Sequence, residues 1–299
     1  MAPSVLAFVS LSPPPYPLWS QGESEWVAEV KFLGRLHHPN LVNLVGYCSE
    51  GDNHRLLVYD YMANQSLEHA LFQRVPEDPV LPWSRRIMIA LGAARGIAFL
   101  HEGAESQVIY RDFKTSNVLL DKEWEARLSD FGLARSGPEG DQSHVTTRVV
   151  GTVGYAAPEY VMTGHLTAKS DVWGFGVVLL EILTGRVAID KTRPREEVNL
   201  VEWAAPYLNN PGTLFRIMDP HLGGRYSVKG AQLCAHLILQ CLQRNPRMRP
   251  KMSEVVVQLQ AVLECHDMAG FTADSLRAPV KKMRAGQSKR VQMPQETAS

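Results

Sequence analysis

The chain of 299 residues has only four cysteines, Cys48, Cys234, Cys241 and Cys265, and no two form a C-x-x-C pair. A zinc ribbon, a thioredoxin-like motif and a disulfide-dense secreted scaffold are thereby excluded, and free, mostly buried thiols in a reducing compartment are expected. Neither sign of charge is in excess, Lys+Arg and Asp+Glu both being 31. That balance argues against a nucleic-acid partner held by bulk electrostatics. A membrane span needs about 18 consecutive apolar residues, and runs such as 177–180 fall far short of it. Lysine is missing from the first thirty positions, and Gly22 is the one glycine before Glu29. What remains is ordinary globular composition, long enough for one large domain or two lobes around a substantial core.

The first residues differ in texture from the rest. Residues 5–9 form a short apolar run with no Lys or Arg ahead of it, which speaks against a secretory signal. The proline-rich run 13–17 predicts an extended linker. Ala2 follows Met1, so the glycine that N-myristoylation requires is not there. Trp26, Val27, Val30 and Leu33 then recur at helical spacing behind Ser24 as N-cap. Residues 41–46 and 56–61 read as the two strands of a hairpin. Ile87, Leu91, Ala94 and Ile97 mark an amphipathic helix over 84–101. Asp171 opens a run that is apolar all round, the pattern of a helix at the centre of a lobe. Further helical patterns lie at 197–208, 228–243 and 252–265. After Cys265 periodicity stops, and six basic residues from Arg277 to Arg290 have no acid between them. That segment reads as a solvated tail, a nuclear-import or lipid-surface patch being the alternative.

Three acidic motifs stand in a fixed order. Tyr110-Arg111-Asp112-Phe113-Lys114-Thr115-Ser116-Asn117 comes first, Asp130-Phe131-Gly132 begins 130 − 112 = 18 positions after Asp112, and Ala157-Pro158-Glu159 closes the set. A lone D-F-G carries little information; all three in order are highly specific. The set resembles the catalytic half of eukaryotic protein kinases. Arg55–Met62, Val108–Asn117, Leu128–Arg135, Gly151–Glu159 and Lys169–Gly176 narrow the resemblance to plant receptor-like cytoplasmic kinases. It runs from about residue 21 to about residue 265, with Tyr110 where most kinases have His.

The resemblance implies an α+β, two-lobed fold with a complete, mainly helical large lobe. It divides the chain into a leader at 1–22, a small-lobe remnant at 23–62, a large lobe at 63–265 and a tail at 266–299. It implies ATP and Mg²⁺ as cofactors, a protein Ser/Thr hydroxyl as acceptor, an upstream receptor kinase as partner and a cytoplasmic location. Phosphoryl transfer asks for positioning and charge neutralisation rather than covalent help. The resemblance assigns Asp112 to the substrate hydroxyl and Lys114 to the transferring phosphate. Asn117 and Asp130 become the hard oxygen ligands of Mg²⁺. Glu29 falls at the helix-C glutamate, Tyr59 at the gatekeeper, and Asp60 to Met62 at the adenine-binding hinge. Leu33, Leu44, Tyr110 and Phe131 would stack between the lobes. Lys114 with Thr152 resembles the serine/threonine type. Arg111 before Asp112 implies control by phosphorylation at Thr147 or Thr146, with Ser143 nearby, and an ordering of residues 136–150 by that phosphate. Glu159 and Arg249 match a buried ion pair, and Asp171 an anchor beneath the catalytic loop.

One departure stands out. The family carries a Gly-rich loop and a strand lysine ahead of Glu29, and neither occurs in these 299 residues: Gly174-Phe175-Gly176 lies inside the central helix, and Lys31 is two residues past Glu29 on another helix face. The first three strands of the small lobe are therefore expected to be missing. Residues 5–11, rich in β-branched and aromatic side chains, are expected to add a strand to the exposed edge of the hairpin. Catalysis is expected to be impaired, and a non-catalytic, pseudokinase-like scaffold is the alternative function.

Overall fold

The computed structural model describes residues 6–11, 19–50, 54–73, 79–138 and 140–265. The proline-rich run at 13–17 and the basic stretch after Cys265 lie outside them.

The small lobe is a three-stranded antiparallel sheet with one helix. Strand β1 (Leu6–Leu11) precedes helix α1 (Trp19–Leu33), followed by β2 (Leu44–Glu50) and β3 (His54–Asp60), in the order β1-β3-β2. The expected edge strand is present: Leu6 pairs with Asp60 and Leu11 with Arg55. An isolated hairpin is marginal in water, and a third strand removes one open edge. Two boundaries differ from the sequence reading. Helix α1 starts at Trp19, ahead of Ser24, because nothing in residues 19–23 breaks a helix apart from the mild cost of Gly22. The first hairpin strand begins at Leu44 rather than 41, because the preceding residues are used elsewhere: the Val42 amide donates to the Leu128 carbonyl at 2.9 Å, and the Leu128 amide to the Asn40 carbonyl at 2.9 Å. Trp26 closes α1 onto the sheet, its indole N–H donating to the Leu56 carbonyl at 3.3 Å.

The large lobe is mainly helical. Helices α2 (Leu67–Phe72) and α3 (Trp83–Ala98) lead into a π-helical turn at Phe99–Gly103. Short strand pairs frame the motifs: β4 (Val108–Ile109) with β7 (Arg135–Ser136), β5 (Val118–Leu120) with β6 (Ala126–Leu128), and β8 (Val145–Thr146) with β9 (His165–Leu166). Helix α4 (Pro158–Thr163) follows β8, and α5 (Ala168–Thr184) follows β9. At the start of α5 the Ser170 hydroxyl accepts the Thr167 amide at 3.2 Å, satisfying one backbone donor at the helix entrance. As expected of an all-apolar run, α5 is buried from Gly174 to Thr184. It ends at Gly185, φ +65°, where a Cβ would stand 2.5 Å from the Asp219 carboxyl carbon. Helices α6 (Leu200–Leu208), α7 (Val228–Cys241) and α8 (Met252–Leu263) complete the lobe. One apolar cluster joins both lobes, from Ala28, Phe32 and Leu33 through Tyr110 and Phe131 to Val262. All four cysteines are free, but only Cys234 and Cys241 are buried; Cys48 is exposed. Among the described residues no helix is long and apolar enough to cross a membrane.

Two buried ion pairs tie distant parts of the large lobe. Arg86 reaches Asp219 at 2.6 Å. Burial alone would raise the Asp219 carboxyl, but the Arg86 guanidinium and the His221 amide outweigh it and hold it below the usual carboxylate range. Arg249 forks onto both oxygens of Glu159 at 2.7 Å each, donates to the Lys169 and Gln243 carbonyls at 2.8 Å, and lies 5.0 Å from the Trp173 ring. Removing one partner of such a pair costs about 3–5 kcal/mol because the other charge stays desolvated. Arg249→Ala should therefore lower the melting temperature by about 6–20 °C, taking about 2–4 °C per kcal/mol for a lobe of this size. Exposed Arg247→Ala should change it by less than about 2 °C. Equal, small effects in a thermal scan would contradict this.

Candidate active site

The catalytic loop is held from below. Asp171, in the first turn of α5, is almost fully buried. One of its oxygens accepts the Tyr110 amide at 2.8 Å and lies 2.7 Å from His101 Nε2; the other accepts the Arg111 amide at 2.7 Å. These bonds fix a strained link. Arg111 has φ +76°, which costs a residue with a Cβ about 1–2 kcal/mol.

Asp112 emerges from that link, 5% exposed. Its Oδ1 accepts the Thr152 hydroxyl at 2.7 Å and the Thr152 amide at 3.0 Å. Its Oδ2 lies 2.8 Å from Lys114 Nζ, and the Asn117 amide donates to the Asp112 carbonyl at 3.0 Å. Lys114 also donates to the Thr152 hydroxyl at 3.0 Å. Thr152 can approach this closely because Gly151 before it adopts φ +117°, a conformation side chains rarely take. Three of the sequence candidates, Thr152, Lys114 and Asn117, thus converge on a fourth, Asp112.

Asp130 lies across the cleft, with φ +58°. Loss of water raises its carboxyl, and Asp112 raises it further by repulsion, with Lys114 opposing. Asn117 is tied to the same stretch, its carbonyl accepting the Ser129 amide at 3.0 Å. Among the described residues no three carboxylate, imidazole or thiol groups form a metal cage. The donor set nonetheless suits Mg²⁺, which is bound through one or two protein oxygens together with phosphate oxygens, and the crowding of Asp112 and Asp130 is a charge that a cation relieves.

Above them is a cleft of about 450 Å³. Val42, Leu57, Met62 and Leu119 provide its apolar lining, Tyr59, Asp60 and Tyr61 its hinge side, and Glu25, Glu29, Asp130 and Gly132 its acidic end. Of the four residues expected to stack, Tyr110 and Phe131 meet edge to face at 5.2 Å, and Leu33 belongs to the large apolar cluster that also holds them, with Leu44 packed against it. Glu29 is 4% exposed. Its Oε1 accepts the Tyr59 hydroxyl at 2.5 Å, and among the described residues no hydrogen-bond partner stands at its Oε2. Burial pushes the Glu29 carboxyl up to about 7 against the opposing Tyr59 hydrogen bond. Lys31 is exposed, its ammonium 5.5 Å from the Phe32 ring, and does not reach Glu29.

The regulatory candidates separate. Arg111 Nη2 donates to the Thr147 hydroxyl at 3.1 Å. Thr146 is exposed on β8, and the Ser143 hydroxyl lies 3.0 Å from His144 Nδ1. The sequence reading overlooked Glu181. It is completely buried, accepts from the Tyr155 hydroxyl and the Ala188 amide at 2.8 Å each, and is pushed up to about 8 by burial. A single carboxylate within the apolar run of α5 was the available signal.

Glu29 gives a pH prediction. Between pH 4.5 and 7 the folded chain holds the Glu29 proton more tightly than the unfolded chain, so this group's stabilisation is lost as pH rises through that window. Glu29→Gln removes the dependence. The variant should match the parent near pH 5 and exceed it near pH 8 by about 2 kcal/mol, as read from denaturant midpoints. A parent more stable than the variant at pH 8 would show that Glu29 has a cationic partner.

A family model described as protein kinase domain matches residues 19–259. The chain is 62% identical over 245 residues to the probable serine/threonine-protein kinase PBL8 of Arabidopsis thaliana, covering 82% of this chain and 58% of that protein. It is 61% identical over 253 residues to the serine/threonine-protein kinase PBL36 of the same plant, covering 85% and 52%. It is 60% identical over 249 residues to the EPD1-interacting receptor-like cytoplasmic serine/threonine-protein kinase of Nicotiana benthamiana, covering 83% and 53%. The chain spans about half the length of the curated relatives it matches. With Asp112, Asn117 and Asp130 drawn together beside the cleft and a family model matching residues 19–259, the chain belongs to the protein kinase family, and it is similar to plant serine/threonine kinases, one of them named receptor-like cytoplasmic.

Proposed function

We propose that this chain carries the phosphoacceptor half of a kinase that moves the γ-phosphate of ATP to a Ser or Thr hydroxyl of a protein, with Mg²⁺ as the metal. The observation that carries the reading is the Asp112 carboxylate, held between Thr152, Lys114 and the Asn117 loop. In this reading Asp112 orients the acceptor hydroxyl and takes its proton. Lys114 sits beside it as the cation that meets the developing phosphate charge. Asn117 and Asp130 would hold the metal, which supplies neutralisation of the phosphate oxygens. Tyr59, Asp60 and Met62 would border the adenine. The small lobe would extend to Met62 and the large lobe over 63–265. Receptor kinases are the proposed upstream partners, in keeping with the receptor-like cytoplasmic names of the relatives, and the cytoplasm is the proposed location.

The polypeptide of these 299 residues is proposed to be impaired. The Oε2 of Glu29, without a hydrogen-bond partner among the described residues, supports this: the carboxylate that should orient a phosphate-binding lysine bonds to Tyr59. Glycine-loop amides and that lysine, at about 2–3 kcal/mol each, together account for at least a thousandfold in rate. Weak ATP binding by calorimetry and little transfer are expected. Replacing residues 1–20 with the Gly-rich loop and lysine strand of a close relative should raise both by at least about a thousandfold in rate, and Asp112→Asn should abolish transfer again. Strong Mg²⁺-dependent autophosphorylation by the unaltered chain, lost on Asp112→Asn, would overturn the impairment. A chimera that binds ATP yet transfers nothing would favour the scaffold.

A further inference from the structure

The sequence reading expected the activation segment to need a phosphate for its order. Yet β7 and β8, at either end of residues 136–146, are paired in the unphosphorylated chain. The contact that accounts for this lies at Tyr160 on α4. Its side chain is 2% exposed, and a buried phenol requires hydrogen-bond partners. Its hydroxyl accepts from Arg111 Nε at 2.9 Å, from Arg111 Nη2 at 2.7 Å and from the Val150 amide at 3.1 Å, and donates to the Arg148 carbonyl at 3.0 Å. One oxygen thus receives the guanidinium on one side and closes the backbone of 148–150 on the other. Arg111 Nη2 also donates to the Arg148 carbonyl and the Thr147 hydroxyl. Among the described residues Arg111 forms no ion pair; the acceptors it meets are neutral. A half-buried cation with neutral acceptors is under-compensated, and an anion beside it gains a charge-assisted, two-pronged contact.

We propose that Tyr160 is a positioning residue: its hydroxyl takes the place of a phosphate oxygen at Arg111, latching the catalytic loop to residues 148–150, and phosphorylation at Thr147 reinforces this latch rather than creating the ordered segment. The inference rests on Arg111 and Thr147 as the regulatory pair of the proposed kinase site, but its test needs no transfer activity. Phe differs from Tyr160 by the one oxygen, so Tyr160→Phe keeps the ring's burial while removing four hydrogen bonds.

The experiment is amide hydrogen exchange on the full chain, resolved to residues 145–152. Tyr160→Phe should speed exchange at Val150 and its neighbours about tenfold, with protection in α5 and α7 unchanged. Phosphothreonine introduced at position 147 by codon suppression should restore protection in Tyr160→Phe but not in the Tyr160→Phe/Arg111→Met double variant, because the phosphate acts through the guanidinium. Unchanged exchange at Val150, or a loss spread evenly over the large lobe, would overturn the latch. Equal restoration in both backgrounds would do the same. If Tyr160→Phe failed to fold, Arg111→Lys, which keeps the charge and loses the fork, should produce the same local loss, and its absence would refute the proposal. Failure of the kinase reading itself would show differently, as an ATP-binding chimera whose transfer ignores Asp112→Asn.

Discussion

The Asp171 carboxylate accepts two successive amides of the loop that carries Asp112 and faces His101, and the places of Asp112, Lys114 and Asn117 depend on it. It stands at the start of a helix buried almost throughout, so it moves only if the centre of the large lobe moves. A loop residue with positive φ, such as Arg111, keeps that conformation only where its surroundings over-determine it. Two short bonds from a desolvated carboxylate do so here. Asp112, Lys114 and Asn117 then inherit their places along the chain, and Thr152 is brought in by the activation segment. The second buried ionic tie, Glu159 with Arg249, secures the far end of that segment, so both of its ends rest on the helical core while its middle remains at the surface.

Charge is distributed unevenly across the cleft. The lower carboxylate, Asp112, has a lysine and a hydroxyl at short range. The upper one, Glu29, has a phenol on one oxygen and, among the described residues, no hydrogen-bond partner on the other. The consequence is chemical as well as structural: a carboxylate poised near neutrality is a partly protonated acid rather than a fixed anion, and it orients a cation poorly. The same environment suits a chain in which a lysine comes to Glu29, since a buried carboxylate pairs strongly when an ammonium arrives.

Much of this could be read from residue order. The three acidic motifs pointed to the protein kinase family, the all-round apolar run after Asp171 located the central helix, and the β-branched content of residues 5–11 identified an added strand. What could not be read depended on partners remote in sequence. Leu41 and Val42 look like strand residues but belong with Leu128, a pairing that periodicity does not report. Helix α1 ran past its apparent cap because a good N-cap residue does not stop a helix whose preceding residues tolerate the conformation. Arg86 with Asp219, and Glu181 with Tyr155, are long-range choices among many charged and polar residues. At the site, the motif supplied Arg111 and Thr147 as a pair, but that Thr147 rather than Thr146 faces the guanidinium is decided by strand register.

Strand β1 has a consequence for the order in which the chain assembles. Its pairing with β3 joins Leu6 to Asp60, a separation of 60 − 6 = 54 positions, whereas β2 and β3 pair from Glu50 with His54, close neighbours in sequence. Loop-closure entropy must be met before so distant a contact gives any return, and non-local strand pairing slows folding for that reason. The hairpin and α1 are therefore expected to form ahead of the β1 pairing, which leaves the β3 edge open in the meantime. During that interval the edge is a template for any extended segment, including one from a neighbouring molecule or from a longer relative of this chain, and the small lobe becomes a place where strands compete for a single vacant seat.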